Sequence, residues 1–191
     1  MSAWRVRSML QELLSDFVRV LDQARIPWMV IGGQAVLVHG EPRLTRDVDI
    51  TVGLGLDRLE ELLEIVATIG WKPLVDPDEF TRRTMVLPCG VTGSPLRVDL
   101  ILADSPYETE ALRRAQEAGD ARTDGIRFAT PEDVVIHKLI AGRPRDLEDA
   151  RSILLKQPEL DRDWVRRWLK SYEDLLGEPL MDRLQELLRT L

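Results

Sequence analysis

The chain has 191 residues, 44% of them hydrophobic and 31% charged, enough apolar material for one domain core, alone or with a helical extension, and too much for an unstructured chain. The formal net charge of −7 argues against a protein that grips nucleic acid indiscriminately through a broadly positive surface, and leaves room only for a local basic patch. A single cysteine, Cys89, excludes an internal disulfide and fits a reducing cytoplasm, where we place the protein. No stretch is apolar for long enough to span a bilayer, and Glu12, Asp16 and Asp22 interrupt the first segment where a signal peptide would be uniformly apolar.

In chain order, Leu10, Leu13, Leu14, Phe17, Val18 and Leu21 recur at helical spacing and predict an amphipathic helix over about 4–24, ended by Pro27. Trp28 to Ile31 is a short apolar run of strand type, broken by Gly32-Gly33 where Gln34 to His39 can start a helix. Asp47 to Val52 is the second predicted strand. Asp57 and Glu60 have the form of a capping box, before a helix whose buried face is Leu59, Leu62, Leu63, Val66 and Ile69 and which Gly70 closes. Strands are expected near Trp71–Leu74, Thr81–Leu87 and Leu96–Leu102, with the Pro88-Cys89-Gly90 and Thr92-Gly93-Ser94-Pro95 clusters as a hairpin-like connection between the last two. After Tyr107 the pattern is mostly helical, apart from a further strand near Arg122–Phe128 at the sheet edge. Thr130-Pro131-Glu132-Asp133 supplies a cap, a proline and an acid for a helix that runs to Gly142, followed by helices from Pro144 to Leu155, Asp161 to Leu176 and Pro179 to Leu191. On the third of these, Trp164, Trp168 and Tyr172 read as core packing because Val165, Leu169 and Leu176 share the helix. His39 and His137, the only histidines, read as structural, since no cysteine lies near enough in the chain to complete a zinc site.

The chemistry concentrates in acids on strands. Side chains alternate along a strand, so Asp47 and Asp49 share one face while Val48 and Ile50 take the other. Two ionised carboxylates about 6–7 Å apart beside an apolar layer require a cation, and hard divalent ions favour such oxygen ligands. Asp99 interrupts the apolar run Leu96–Leu102, and strand pairing can bring it to the same place; an exposed acid on a one-sided edge strand is the bland alternative.

The glycine turn after a strand, then Asp47-x-Asp49, then a lone Asp99 in a later strand, resembles the active-site signature of the DNA polymerase β nucleotidyltransferase superfamily. Gly32-Gly33-Gln34-Ala35, Arg43-x-Thr45-Arg46-Asp47-x-Asp49 and His137-Lys138-x-x-Ala141-Gly142-Arg143-x-x-Asp146-x-x-Asp149 look like the minimal, AbiEii-like nucleotidyltransferases of the abortive-infection toxin group, over roughly residues 28–155. The resemblance implies an α/β (α+β) fold with a mixed, largely antiparallel sheet flanked by helices, a core over 1–128 and a helical C-terminal region over 129–191. It implies two Mg²⁺ ions held by Asp47, Asp49 and Asp99, with a nucleoside monophosphate moved from ATP or another nucleoside triphosphate to a hydroxyl acceptor. It also gives Asp47, Asp49, Asp99, Lys138 and Asp146 catalytic roles, and Gly32, Gly33, Gln34, Arg46, Lys138 and Arg143 nucleotide-binding ones, with Asp149 a lesser candidate.

Many members of the wider superfamily have serine where Gly33 stands, which passes its phosphate contact to backbone N–H groups or to Gln34. The acceptor implied by the toxin likeness is tRNA or a protein, with a cognate antitoxin as partner and no membrane. Two other readings stay open: a transferase acting on a small cationic molecule, as aminoglycoside-adenylylating enzymes do, and an inactive nucleotide-binding module.

Overall fold

The computed structural model describes residues 14–45, 47–117 and 125–191. The first turns of the predicted N-terminal helix, Arg46 and most of the segment before Arg127 therefore lie outside the described residues. A helix over 14–23, α1, buries Leu14, Phe17 and Leu21 completely, and Phe17 stacks on Trp71 at 4.9 Å.

Among the described residues seven strands form one mixed sheet: β1 (Trp28–Ile31), β2 (Asp47–Val52), β3 (Lys72–Pro73), β4 (Val86–Gly90), β5 (Arg97–Leu102), β6 (Gln116–Glu117) and β7 (Arg127–Phe128), in the order β3-β4-β5-β2-β1-β7-β6. Four of the six strand pairs are antiparallel; β2 with β5 and β1 with β7 are parallel. Val48, Ile50 and Val52 of β2 and Val98, Leu100 and Leu102 of β5 are buried on one face of the sheet's centre. The opposite face of the same two strands carries Asp47, Asp49, Arg97 and Asp99, as strand alternation requires.

The helices are α2 (Gly32–His39), α3 (Leu59–Thr68), α4 (Pro77–Thr84), α5 (Pro106–Arg114), α6 (Pro131–Ala141), α7 (Pro144–Lys156), α8 (Arg162–Leu176) and α9 (Leu180–Arg189). Among the described residues no helix is long and apolar enough to cross a membrane. Thr130 caps α6 by accepting from the Asp133 N–H, with Pro131 in the first turn, and Gly142 ends the helix in the left-handed conformation. Trp168 and Tyr172 pack edge-on against buried Tyr107 at 5.1 and 5.5 Å, and Trp164 meets Trp168 at 5.9 Å, so this partly buried aromatic row packs against the core. His39 Nε2 lies 2.8 Å from the Ala129 carbonyl oxygen, a structural contact.

Three local expectations are corrected. Thr81 lies in α4, not in a strand: the Asp76 side chain accepts from the Glu79 N–H and Pro77 occupies the first turn, so a capped helix takes the segment up to Thr84. Pro88, Cys89 and Gly90 belong to β4, not to the connection after it. The Pro88 carbonyl accepts from the Leu74 N–H, on the outer side of the strand, so the missing proline donor falls on that side and removes no bond to β5. Asp57 sits in a 3-10 turn (Leu56–Arg58), and α3 begins at Leu59 with no side-chain cap, so the Asp57–Glu60 box does not form. The strand expected at the sheet edge is β7, which is covered on its outer side by β6.

Candidate active site

β2 and β5 run parallel in a register that sets Asp49 beside Asp99 and Asp47 beside Arg97. Neighbouring strands lie about 4.8 Å apart, so four charged side chains occupy one small square of the sheet. β5 is flanked by β4 and β2, so Asp99 stands in the sheet interior, which removes the edge-strand alternative. These acids line an open cleft of about 870 Å³ that also receives Gly32 and Gly33 from the start of α2 and Lys138 from α6.

Gly32 turns the chain from β1 into α2 with φ +61°, a conformation that side-chain-bearing residues rarely adopt. A Cβ there would stand 2.0 Å from Asp49 Oδ2, so the turn needs glycine for space as well as for conformation. The Gly33 backbone N–H donates to the Asp49 carboxylate. Burial pushes Asp49 up to about 6, with the charges of Asp99 and Asp47 adding to the rise; Lys138 and the Gly33 amide oppose it only in part. The site thus has more negative charge than its own residues neutralise.

A second group of charges faces it. Lys138 is buried, with Nζ 2.8 Å from Asp146 Oδ1 and 2.9 Å from Asp149 Oδ2. Arg43 donates through Nε and Nη2 to both Asp149 oxygens at 2.7 and 2.8 Å, and Arg143 Nε donates to Asp146. Burial alone would raise Asp146 and Asp149, but the hydrogen bonds from Lys138 with Arg143, and from Arg43 with Lys138, outweigh it and hold both acids below the usual carboxylate range. The row Arg43, Asp149, Lys138, Asp146, Arg143 ties the segment before β2 to α6 and α7.

Of the residues singled out by sequence, Gly32, Gly33, Asp47, Asp49, Asp99, Lys138, Arg143 and Asp146 line the cleft together. Gln34 does not; it is buried within α2. Asp149 lies behind the cleft wall, holding Arg43 and Lys138. Arg46 is outside the described residues. Sequence reasoning gave no role to Arg97, whose Nε and Nη2 hold the two Asp99 oxygens at 2.7 and 3.0 Å, or to Arg43, 106 positions from its partner. Arg97 was open to discovery by the alternation that found Asp49, because positions 97 and 99 share a face; the Arg43–Asp149 pair left no local signal. His137 also reaches the cleft wall, its ring edge-on to Tyr107 at 5.6 Å, and burial lowers its pKa.

Among the described residues no three acid, histidine or cysteine side chains already converge on a point at ligating distance. The donor set is nonetheless that of a hard divalent cation: oxygen only, with Asp49 raised first by burial and further by the charges of Asp99 and Asp47. Asp47, Asp49 and Asp99 therefore fit such an ion, provided that Asp99 turns away from Arg97.

No curated protein matches the chain. Among solved structures it is similar to the antibiotic-resistance factor ANT(2'')-Ia in solution, at 14% identity over 88% of this chain and 94% of that one with a TM-score of 0.59. It is likewise similar to the crystal structure of ANT(2'')-Ia in complex with adenylyl-2''-tobramycin, at 17% identity over 85% and 93% with a TM-score of 0.54. These likenesses establish the fold, that of a nucleotidyltransferase. Residues 13–190 match the family described as nucleotidyl transferase AbiEii toxin, type IV toxin–antitoxin system, and the chain belongs to that family of nucleotidyltransferase enzymes.

Proposed function

We propose that the protein transfers a nucleoside monophosphate from a nucleoside triphosphate to a hydroxyl group of a nucleic acid or protein, as the toxin half of a toxin–antitoxin pair. The observation that carries this reading is the parallel register placing Asp49 beside Asp99, against a glycine turn that only glycine can make. Two Mg²⁺ ions bound there would neutralise the triphosphate and lower the pKa of the attacking hydroxyl. Asp47, Asp49 and Asp99 would hold them, and an Asp99 oxygen would take the hydroxyl proton as the new O–P bond forms and the bond between the α-phosphorus and the bridging oxygen breaks to release pyrophosphate. The Gly32–Gly33 turn lets the triphosphate approach the backbone closely. Lys138, already neutralised by two carboxylates, acts by position: its charge faces Asp49 and its ion pairs fix α6 against α7.

The charges of the cleft favour an anionic macromolecule such as tRNA over a small cationic acceptor. Among the described residues its acids are Asp47, Asp49, Asp99 and Asp146. The first three are committed to metal in this reading, and Asp146 is taken by Lys138 and Arg143. No carboxylate is left to bind an amine, whereas Arg145 on the cleft wall has no acidic partner among the described residues and is open to phosphate.

The test supplies each α-labelled nucleoside triphosphate with Mg²⁺ to the protein and offers total tRNA, cell-extract protein and tobramycin in separate reactions. Label on tRNA or protein, absent when the γ-phosphate is labelled instead, is the expected result. Label on tobramycin alone would overturn the acceptor reading, and no label on any acceptor would overturn the activity.

A further inference from the structure

Arg97 stands two positions before Asp99 and so lies on the same face of the sheet, with Asp47 as its Cα partner on β2. Its guanidinium takes both oxygens of Asp99 at once, at 2.7 and 3.0 Å. A cation that chelates both oxygens must displace these N–H groups, because the planar fork of arginine covers the shared edge of the carboxylate, and one that takes the outer lone pair of a single oxygen meets the guanidinium charge beside it. The two partners are unequally fixed: the Asp99 side chain is 18% exposed, whereas that of Arg97 is 48% exposed and has open solvent to swing into.

We infer that Arg97 is a positioning residue that competes with the divalent cation for Asp99, holding this carboxylate idle until the ion displaces it. The inference rests on the reading of Asp47, Asp49 and Asp99 as metal ligands. It accounts for three aspartates on one sheet face: the Arg97 guanidinium, on that same face, stands in for a cation at Asp99. The site consequently binds metal more weakly than its carboxylates alone would, and the enzyme stays idle until metal arrives.

Titration of the full-length protein with Mn²⁺, without nucleotide, followed by electron paramagnetic resonance of the free ion, tests the competition. Arg97→Gln is expected to tighten Mn²⁺ binding about fivefold, the factor given by loss of one part-exposed ion pair. Arg97→Lys, which keeps the charge and loses the fork, is expected to fall between wild type and Arg97→Gln. In an Asp99→Asn background, Arg97→Gln should have no effect beyond that of its lost charge, which the Lys variant calibrates. Binding by Arg97→Gln no tighter than wild type would overturn the latch, and so would wild-type affinity in Arg97→Lys, which would reduce the effect to net charge. If Asp49→Asn and Asp99→Asn both leave Mn²⁺ binding unchanged, the metal-site reading itself fails and the latch with it; loss of binding in those variants with no gain in Arg97→Gln removes the latch alone.

Discussion

Replacing Asp49 by Asn should make the metal-free protein more stable at neutral pH while removing its activity. Asp49 is raised from 3.8 to about 6, so the folded state prefers it protonated. The sign follows from that direction: the group costs nothing below its unfolded value near 4, and its ionisation takes stability away as pH rises through 4 to 6. At 1.36 kcal/mol per unit, the penalty above pH 6 is about 3 kcal/mol. Asn carries no charge and its side-chain oxygen can still accept from the Gly33 N–H, so Asp49→Asn escapes that penalty. Urea unfolding of both proteins in a chelator at pH 4 and pH 7.5 reads the difference. The variant should match wild type at pH 4 and exceed it by about 2–3 kcal/mol at pH 7.5. Asp146 and Asp149, with lowered pKa values, lose their own stabilisation as pH falls below about 4, but this acts on both proteins alike and cancels. A difference that does not change with pH, or a variant less stable at pH 7.5, would refute the reasoning.

Other consequences follow from single contacts. Gly32→Ala puts a methyl group where Asp49 Oδ2 stands and forces a positive φ, so a loss of about 1–3 kcal/mol in unfolding free energy is expected together with loss of nucleotide transfer; an active, fully stable variant would show that the turn is not tightly packed. Lys138→Ala leaves Asp146 and Asp149 buried without their shared cation and should cost about 3 kcal/mol, part of which Asp149→Asn in the same chain restores by double-mutant analysis. Arg43→Lys cannot reproduce the two-point grip on Asp149, so kcat is expected to fall about tenfold with smaller change in stability, measured by steady-state kinetics beside thermal unfolding.

The central strands were legible because strand alternation separates Asp47 and Asp49 from Val48 and Ile50 without reference to anything distant, and Asp99 stood out as the lone acid in the apolar run Leu96–Leu102. Thr130-Pro131 marked the start of α6 equally well, since cap and proline act within one turn. Of the strand expected over Thr81–Leu87, Val86 and Leu87 do begin β4, but Thr81–Thr84 is helical because the helix start that decides the matter, Asp76-Pro77, lies upstream. Pro88 was read as a breaker, and only the neighbouring strand shows that its missing donor faces outward. The least legible contact of the site was that of Arg43, which finds Asp149 across 106 residues, a pairing that depends on how α2, α6 and α7 pack.

The most direct measurement is anomalous diffraction from crystals grown with Mn²⁺ and a nucleoside triphosphate analogue that cannot be cleaved between the α- and β-phosphates. The account predicts manganese peaks within ligating distance of Asp47, Asp49 and Asp99, with Arg97 withdrawn from Asp99. Manganese bound elsewhere in a nucleotide-loaded protein, with the Arg97–Asp99 pair intact, would contradict it.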